Sequence, residues 1–126
     1  MSKIVVSLTL GLLGLLLTNC TAQNATPTQI LSVAEFKSKL QKDATVQLVD
    51  VRTPEEFAAG HIEGALNINY LGSDFEQQIQ KLDKKRPVLL YCKSGIRSSK
   101  AAAILQKSGF SSLYNLEGGY LKWAAQ

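Results

Sequence analysis

The sequence predicts one α/β domain built on a central parallel sheet flanked by helices. Three observations carry that prediction. From Leu31 onward, apolar runs alternate with segments that open on helix-capping residues, the pattern of a helix-covered parallel sheet. Two of the runs, Thr45-Val46-Gln47-Leu48-Val49-Asp50-Val51 and Val88-Leu89-Leu90-Tyr91, are mostly apolar and rich in valine and leucine, as strands buried on both faces are. The chain has 126 residues, 45% of them hydrophobic and 19% charged. That supports one modest core rather than two.

The N-terminus stands apart. Met1-Ser2-Lys3 carries one positive charge, and Ile4 to Leu17 is apolar apart from Ser7, Thr9 and two glycines. The stretch is shorter than the roughly 20 residues a membrane span needs. It fits the apolar region of an export signal better than a core helix. Leu17-Thr18-Asn19-Cys20 follows and resembles the lipobox of bacterial lipoproteins. That resemblance implies cleavage and lipidation at Cys20. Asn19 departs from the pattern, in which a small residue precedes the cysteine, and ordinary signal cleavage after Ala22 is the alternative. The expected organisation is a signal peptide over 1–19, a polar tether over 20–28 and the folded domain over 29–126. The expected location is outside the cytoplasm, periplasmic or in the envelope, with a lipid anchor as the sole membrane attachment.

The elements of the domain follow in order. Thr28-Gln29-Ile30-Leu31 predicts a short strand. Ser32-Val33-Ala34-Glu35 reads as a capping box, a serine capping the helix start with a glutamate three residues on. Phe36 and Leu40 share a face of that helix, which ends near Lys42. After the strand at 45–51, Thr53-Pro54-Glu55-Glu56 is a second box with proline at the first helical position, and its helix stops at Gly60. Gly64 to Asn69 alternates and predicts another strand. Ser73-Asp74-Phe75-Glu76 reads as a third box, with Ile79 and Leu82 on the side of Phe75. Val88 to Tyr91 is the next strand. A helix covering Ser99 to Leu105 follows and stops at Gly109. Leu113 to Leu116 is the last strand, and Gly118-Gly119 breaks it before a terminal helix, Tyr120 to Ala125.

One turn organises the chemistry. Cys92-Lys93-Ser94-Gly95-Ile96-Arg97 joins the Val88 strand to the following helix. Ligands bind at the carboxyl ends of strands in open α/β sheets. Successive N–H groups and a helix start favour anions there. Lys93 and Arg97 add two cations, and all three influences favour a thiolate, the nucleophilic form. Those cations and Gly95 argue against a merely buried Cys92. The chain has two cysteines, so once Cys20 is lipidated or removed Cys92 has no internal disulfide partner.

Charge and ligand counts exclude other classes. The net charge is +4, and 13 basic against 10 acidic residues remain without Lys3. The lysines are scattered along the sequence. Lys84-Lys85-Arg86 is the one basic run and reads as a solvated turn before Pro87, so no nucleic-acid footprint is predicted. One histidine and one remaining cysteine argue against a zinc site, which takes four nitrogen or sulfur ligands. No metal and no cofactor is expected.

Three stretches together resemble the rhodanese family. They are Asp50-Val51-Arg52 with Glu55-Glu56-Phe57 and Gly60-His61-Ile62-Glu63-Gly64-Ala65-Leu66-Asn67-Ile68; the Cys92 to Arg97 loop; and Asn115-Leu116-Glu117-Gly118-Gly119-Tyr120-Leu121-Lys122-Trp123. The resemblance spans about Leu31 to Ala125. It implies the rhodanese fold and a sulfurtransferase working through a persulfide on Cys92. It assigns Lys93, Ser94, Gly95, Ile96 and Arg97 to a substrate-binding loop. The implied partners are a small anionic sulfur donor such as thiosulfate and a thiol, cyanide or protein acceptor, and a monomer is expected. Asp50 and Arg52, at a strand end, are expected to pair with each other or with loop groups. The resemblance places His61 in a structural turn rather than in a Cys-His dyad, and Tyr120 and Trp123 read as core. Arginine lies five positions after the cysteine, whereas related dual-specificity phosphatases have one residue more, a wider cradle for a phosphate ester. Phosphatase or arsenate reductase activity is therefore the less favoured reading. A non-catalytic sulfur-carrier or protein-binding module is the other alternative.

Overall fold

The computed structural model describes Gly14 and residues 26–126. Apart from Gly14, the expected signal peptide, Cys20 and most of the expected tether lie outside the described residues. Five strands, β1 (Gln29–Leu31), β2 (Gln47–Asp50), β3 (Leu66–Asn67), β4 (Val88–Tyr91) and β5 (Leu113–Leu116), form one sheet. Every pairing is parallel, in the order β1-β5-β4-β2-β3. The helices are α1 (Val33–Lys42), α2 (Pro54–Ala59), α3 (Phe75–Gln78), α4 (Ile96–Lys107) and α5 (Gly119–Ala124), and a 3-10 turn, Ile79–Lys81, extends α3. This is the expected α/β architecture.

Strand alternation builds two cores, because successive side chains point to opposite faces. Val88 and Leu90 join Val49, Ala101 and Leu105 on one face. Leu89 and Tyr91 join Leu48, Phe36 and Leu116 on the other. All four β4 residues are fully buried, so β4 is the central strand that its apolar run predicts. Truncating a side chain as enclosed as Phe36 costs about 3–5 kcal/mol.

The caps behave unequally. Thr53 and Glu56 form the complete reciprocal box at α2, with Pro54 in the first turn. At α1 the Ser32 hydroxyl accepts from the Glu35 N–H at 3.2 Å. The third box does not form: Asp74 takes the cap position of α3 without a side-chain cap bond. Its carboxylate instead accepts from Gln78 Nε2 at 2.9 Å, and α3 tightens into the 3-10 turn after four residues. The predicted strand at 64–69 shrinks to Leu66–Asn67 at the sheet edge. Helix α4 begins at Ile96, three residues ahead of its predicted start.

Sheet order also locates the site. The chain runs from β2 outward to β3 and from β4 outward to β5. The order reverses between β2 and β4, where a crevice forms at the strands' carboxyl ends. Asp50 and Tyr91 face each other there, and Cys92 follows Tyr91.

Candidate active site

Cys92 continues the alternation of β4 and so turns its side chain toward the α4 face. It is 1% exposed. This corrects the expectation from the flanking cations that the cysteine is not buried: the pleat of the strand, not the neighbouring charges, sets the direction of the side chain. Its sulfur is nonetheless hydrogen-bonded. The Gly95 N–H donates to Sγ at 3.0 Å. The Ser98 hydroxyl, fully buried, lies 3.3 Å from Sγ and 3.2 Å from the Gly95 carbonyl oxygen. Its single proton serves one of the two at a time.

Backbone constraints hold the loop around the sulfur. Gly95 has φ +111°, a conformation costly for residues with a Cβ, and this aims its N–H back at Sγ. The Gly95 carbonyl accepts from Ser99 N at 3.2 Å, Ser99 Oγ at 2.9 Å and Asn115 Nδ2 at 3.3 Å. On the other side, Tyr120 N donates to the Cys92 carbonyl at 2.8 Å and Leu121 N to the Lys93 carbonyl at 3.1 Å. A Cβ on Gly119 would stand 2.6 Å from the Cys92 carbonyl oxygen. The glycine pair therefore does more than break a strand: it lets α5 grip the loop.

Burial pushes the Cys92 thiol up. The Ser98 hydroxyl and the N–H groups of Ser98, Gly95 and Ser94 outweigh burial and hold it below its ordinary value. Of the three expected influences the N–H groups of the turn and helix start act here, while neither Lys93 nor Arg97 is among the leading causes. Lys93 is exposed. Arg97 makes a two-pronged pair with Glu56, Nη1 to Oε1 at 2.8 Å and Nη2 to Oε2 at 2.9 Å. Arg97 is held above its ordinary value chiefly by Glu56, with the sulfur a lesser partner. Hydrogen bonds to Arg97 bring Glu56 down to about 2.

A second pair lies deeper. Arg52 Nη2 meets Asp50 Oδ2 at 2.7 Å and the Gly60 carbonyl at 2.7 Å, and Arg52 Nε meets Asp50 Oδ1 at 3.0 Å. Both side chains are buried, and the guanidinium carbon lies 4.3 Å from the Tyr120 ring centroid. Of the two partners expected for these residues, the structure brings them to each other. The Tyr91 hydroxyl accepts from the Ile62 N–H at 3.0 Å, and burial pushes that phenol well above its ordinary value.

The remaining expected residues are distributed around the loop. Ser94 is exposed and contributes its N–H to the sulfur. Ile96, 66% exposed, opens α4. His61 stacks on Phe57 at 3.7 Å and its Nδ1 lies 2.9 Å from the Phe57 carbonyl oxygen, so it occupies a turn and forms no dyad with Cys92. Trp123 packs edge-on against Phe36, whereas Tyr120 both covers Arg52 and lines a cleft. That cleft, about 240 Å³, lies beside the loop between Arg52, Glu56, Gly60, Lys93 and Leu121. A larger groove of about 630 Å³ runs along α1 and Tyr114, away from the thiol. Among the described residues no cluster of three His, Cys, Asp or Glu side chains is placed to hold a metal.

Ser98 is the site residue the sequence did not single out. The signal was available: residues 98, 101, 102 and 105 share one face of α4 and are all buried. A helix opened by Gly95 rather than Ser99 would have put a hydroxyl on that face.

The chain is 42% identical over 96 residues to the uncharacterized protein YqhL of Bacillus subtilis, covering 76% of this chain and 72% of that one. It is 37% identical over 95 residues to the thiosulfate sulfurtransferase GlpE of Shewanella oneidensis, covering 75% of this chain and 85% of that one. The human single-domain sulfurtransferase TSTD1 superposes with a TM-score of 0.65 at 29% identity, over 80% of this chain and 97% of that one. The family model for the rhodanese-like domain matches residues 32–126, from the cap of α1 through the helix that grips the Cys92 loop, and the chain belongs to the rhodanese family.

Proposed function

We propose that this chain is a sulfurtransferase carrying sulfane sulfur as a persulfide on Cys92, with a small anionic donor such as thiosulfate and a thiol, cyanide or protein acceptor. The observation that carries the reading is the sulfur itself: a buried Sγ that receives the Gly95 N–H and the Ser98 hydroxyl. Membership of a family whose relatives include thiosulfate sulfurtransferases supports it.

The Cys92 thiolate attacks the outer sulfur of the donor. A new S–S bond forms, the donor's own S–S bond breaks, and its electron pair leaves with sulfite. The enzyme then holds Cys92–S–S⁻. An acceptor thiolate takes the outer sulfur, and the electron pair of the broken bond returns to Cys92 Sγ. This is covalent catalysis in two displacements. The donors around Sγ lower the energy of the thiolate as nucleophile in the first step and as leaving group in the second. N–H groups of the loop stabilise the charge on the outer sulfur. Lys93, exposed beside the cleft, draws anionic donors. A Cys92 only 1% exposed favours a single terminal atom over a bulky phosphate ester.

Intact-mass analysis after thiosulfate treatment tests the proposal. One added sulfur atom on the wild type, removed by a thiol or cyanide, is expected, and Cys92→Ser should gain none. A wild-type protein that never gains sulfur from thiosulfate or other sulfane donors would overturn it.

A further inference from the structure

The fold brings cations from three separate segments to one end of the sheet. All strands are parallel, so the segments that lead into them meet at one end of the sheet. Several contacts make that end continuous. Gln47 Nε2 donates to the carbonyls of Asp83 and Arg86 at 2.8 and 3.3 Å. Arg86 Nε donates to the Thr45 carbonyl at 2.8 Å. Gly109, just past α4, lies against the Lys84 side chain. Lys42 ends α1, Lys107 ends α4, and Lys81, Lys84, Lys85 and Arg86 lead into β4.

All six of these cations are exposed, and among the described residues none forms an ion pair. Two carboxylates share this end, and both are occupied. Asp43 accepts from Thr45 and lies 3.9 Å from Lys39, and Asp83 accepts from the Lys85 N–H at 2.9 Å. None of the other eight acidic residues forms an ion pair with these six cations among the described residues.

The N-terminal segment leaves from the same end. Gln106 Nε2 donates to the Thr26 carbonyl at 3.0 Å, and β1 starts three residues later. Ahead of Thr26 lie 25 residues that include the apolar stretch Ile4 to Leu17 and contain no acidic residue. Cys92 lies at the opposite end of β4, about 16 Å away at the rise of a strand.

We propose that this basic end is a docking surface for an anionic phospholipid bilayer, which seats the domain with the Cys92 loop facing away from the membrane. Charge complementarity supplies the attraction, and an apolar or acylated segment emerging from the same end supplies the second contact that stable surface attachment requires. The sulfur site then stays open to donors and acceptors in solution.

Vesicle binding of the full chain tests this, with phosphatidylcholine alone against phosphatidylcholine containing phosphatidylglycerol. Phosphatidylglycerol is expected to strengthen binding by about tenfold or more at low salt. The gain should vanish near 1 M salt, where the Debye length falls to about 3 Å. Lys84→Glu/Lys85→Glu/Arg86→Glu should lose the gain and keep sulfur transfer. Lys37→Glu/Lys100→Glu/Lys122→Glu changes the net charge equally and should keep the gain. The proposal is overturned by equal binding to both vesicles, by equal loss in the two triple variants, or by tighter binding to single-stranded RNA than to the anionic vesicles at the same salt.

Discussion

Two arginine–carboxylate pairs flank Cys92 and do different work. Asp50–Arg52 is sealed between the sheet and Tyr120, with side chains 0% and 5% exposed. Glu56–Arg97 bridges α2 and the first turn of α4, with side chains 29% and 23% exposed. The hydrogen-bond geometry is alike, at 2.7 to 3.0 Å. The environment is not. In the buried pair each charge depends on its partner, because water cannot replace it. In the outer pair solvent screens both charges, so little stability rests on it, and its position beside the loop matters more. Neither pair supplies the donors that depress the Cys92 thiol. That task falls to uncharged groups.

The largest expected effect comes from breaking the inner pair. Asp50→Asn keeps the shape of the side chain and strands the Arg52 charge in the interior. Unfolding by urea should show a loss of about 3–5 kcal/mol, while sulfur transfer per folded molecule changes far less. Loss of transfer in a variant of unchanged stability would move Asp50 out of the scaffold and into the reaction.

Ser98→Ala separates the neutral donors from both arginines. When Cys92 ionises, the Ser98 hydroxyl donates to the thiolate, and such charge-assisted bonds are worth about 1.5–3 kcal/mol. Removing it should raise the pH at which Cys92 becomes alkylated and slow sulfur transfer by roughly tenfold to a hundredfold. Ser98→Thr, which keeps the hydroxyl, should recover part of both. An unchanged alkylation profile in Ser98→Ala would leave the acidity of Cys92 to the backbone N–H groups and the cations.

The contrast between these groups also marks what the sequence could disclose. Strand β4, the Thr53–Glu56 cap and the cysteine at the strand end are local patterns, and periodicity or spacing reveals them. The same local signature at Ser73 misleads, because α3 is four residues long and Asp74 engages Gln78 instead. Burial of Cys92 follows from the pleat of β4, which the flanking charges obscure. The partner of Arg97 is 41 residues away in sequence. Gly119 meets the Cys92 carbonyl only because β5 lies beside β4. The cations at Lys42, Lys84–Arg86 and Lys107 converge only once every strand runs the same way. Each of these depends on topology, to which spacing along one chain is blind.

The smallest expected effect is the pH dependence of the outer pair. Arg97 brings Glu56 from an ordinary 4.5 down to about 2 in the folded protein. Between those values the unfolded chain binds a proton that the folded chain refuses, so stability rises with pH there. The contribution is complete above about pH 5 and is lost as the pH falls toward 2. Partial exposure screens it, so about 1 kcal/mol is expected at neutral pH. The difference in unfolding free energy between wild type and Glu56→Gln should be flat from pH 7 to about 5 and shrink below about 4.5. Glu56→Gln also leaves Arg97 without its counterion beside the sulfur, so anionic donors should bind more tightly while acceptors with no charge are unaffected. A Glu56→Gln loss as large as that of Asp50→Asn would show that burial does not separate the two pairs. A difference that persists unchanged to pH 2 would show that the Glu56 carboxylate does not carry it.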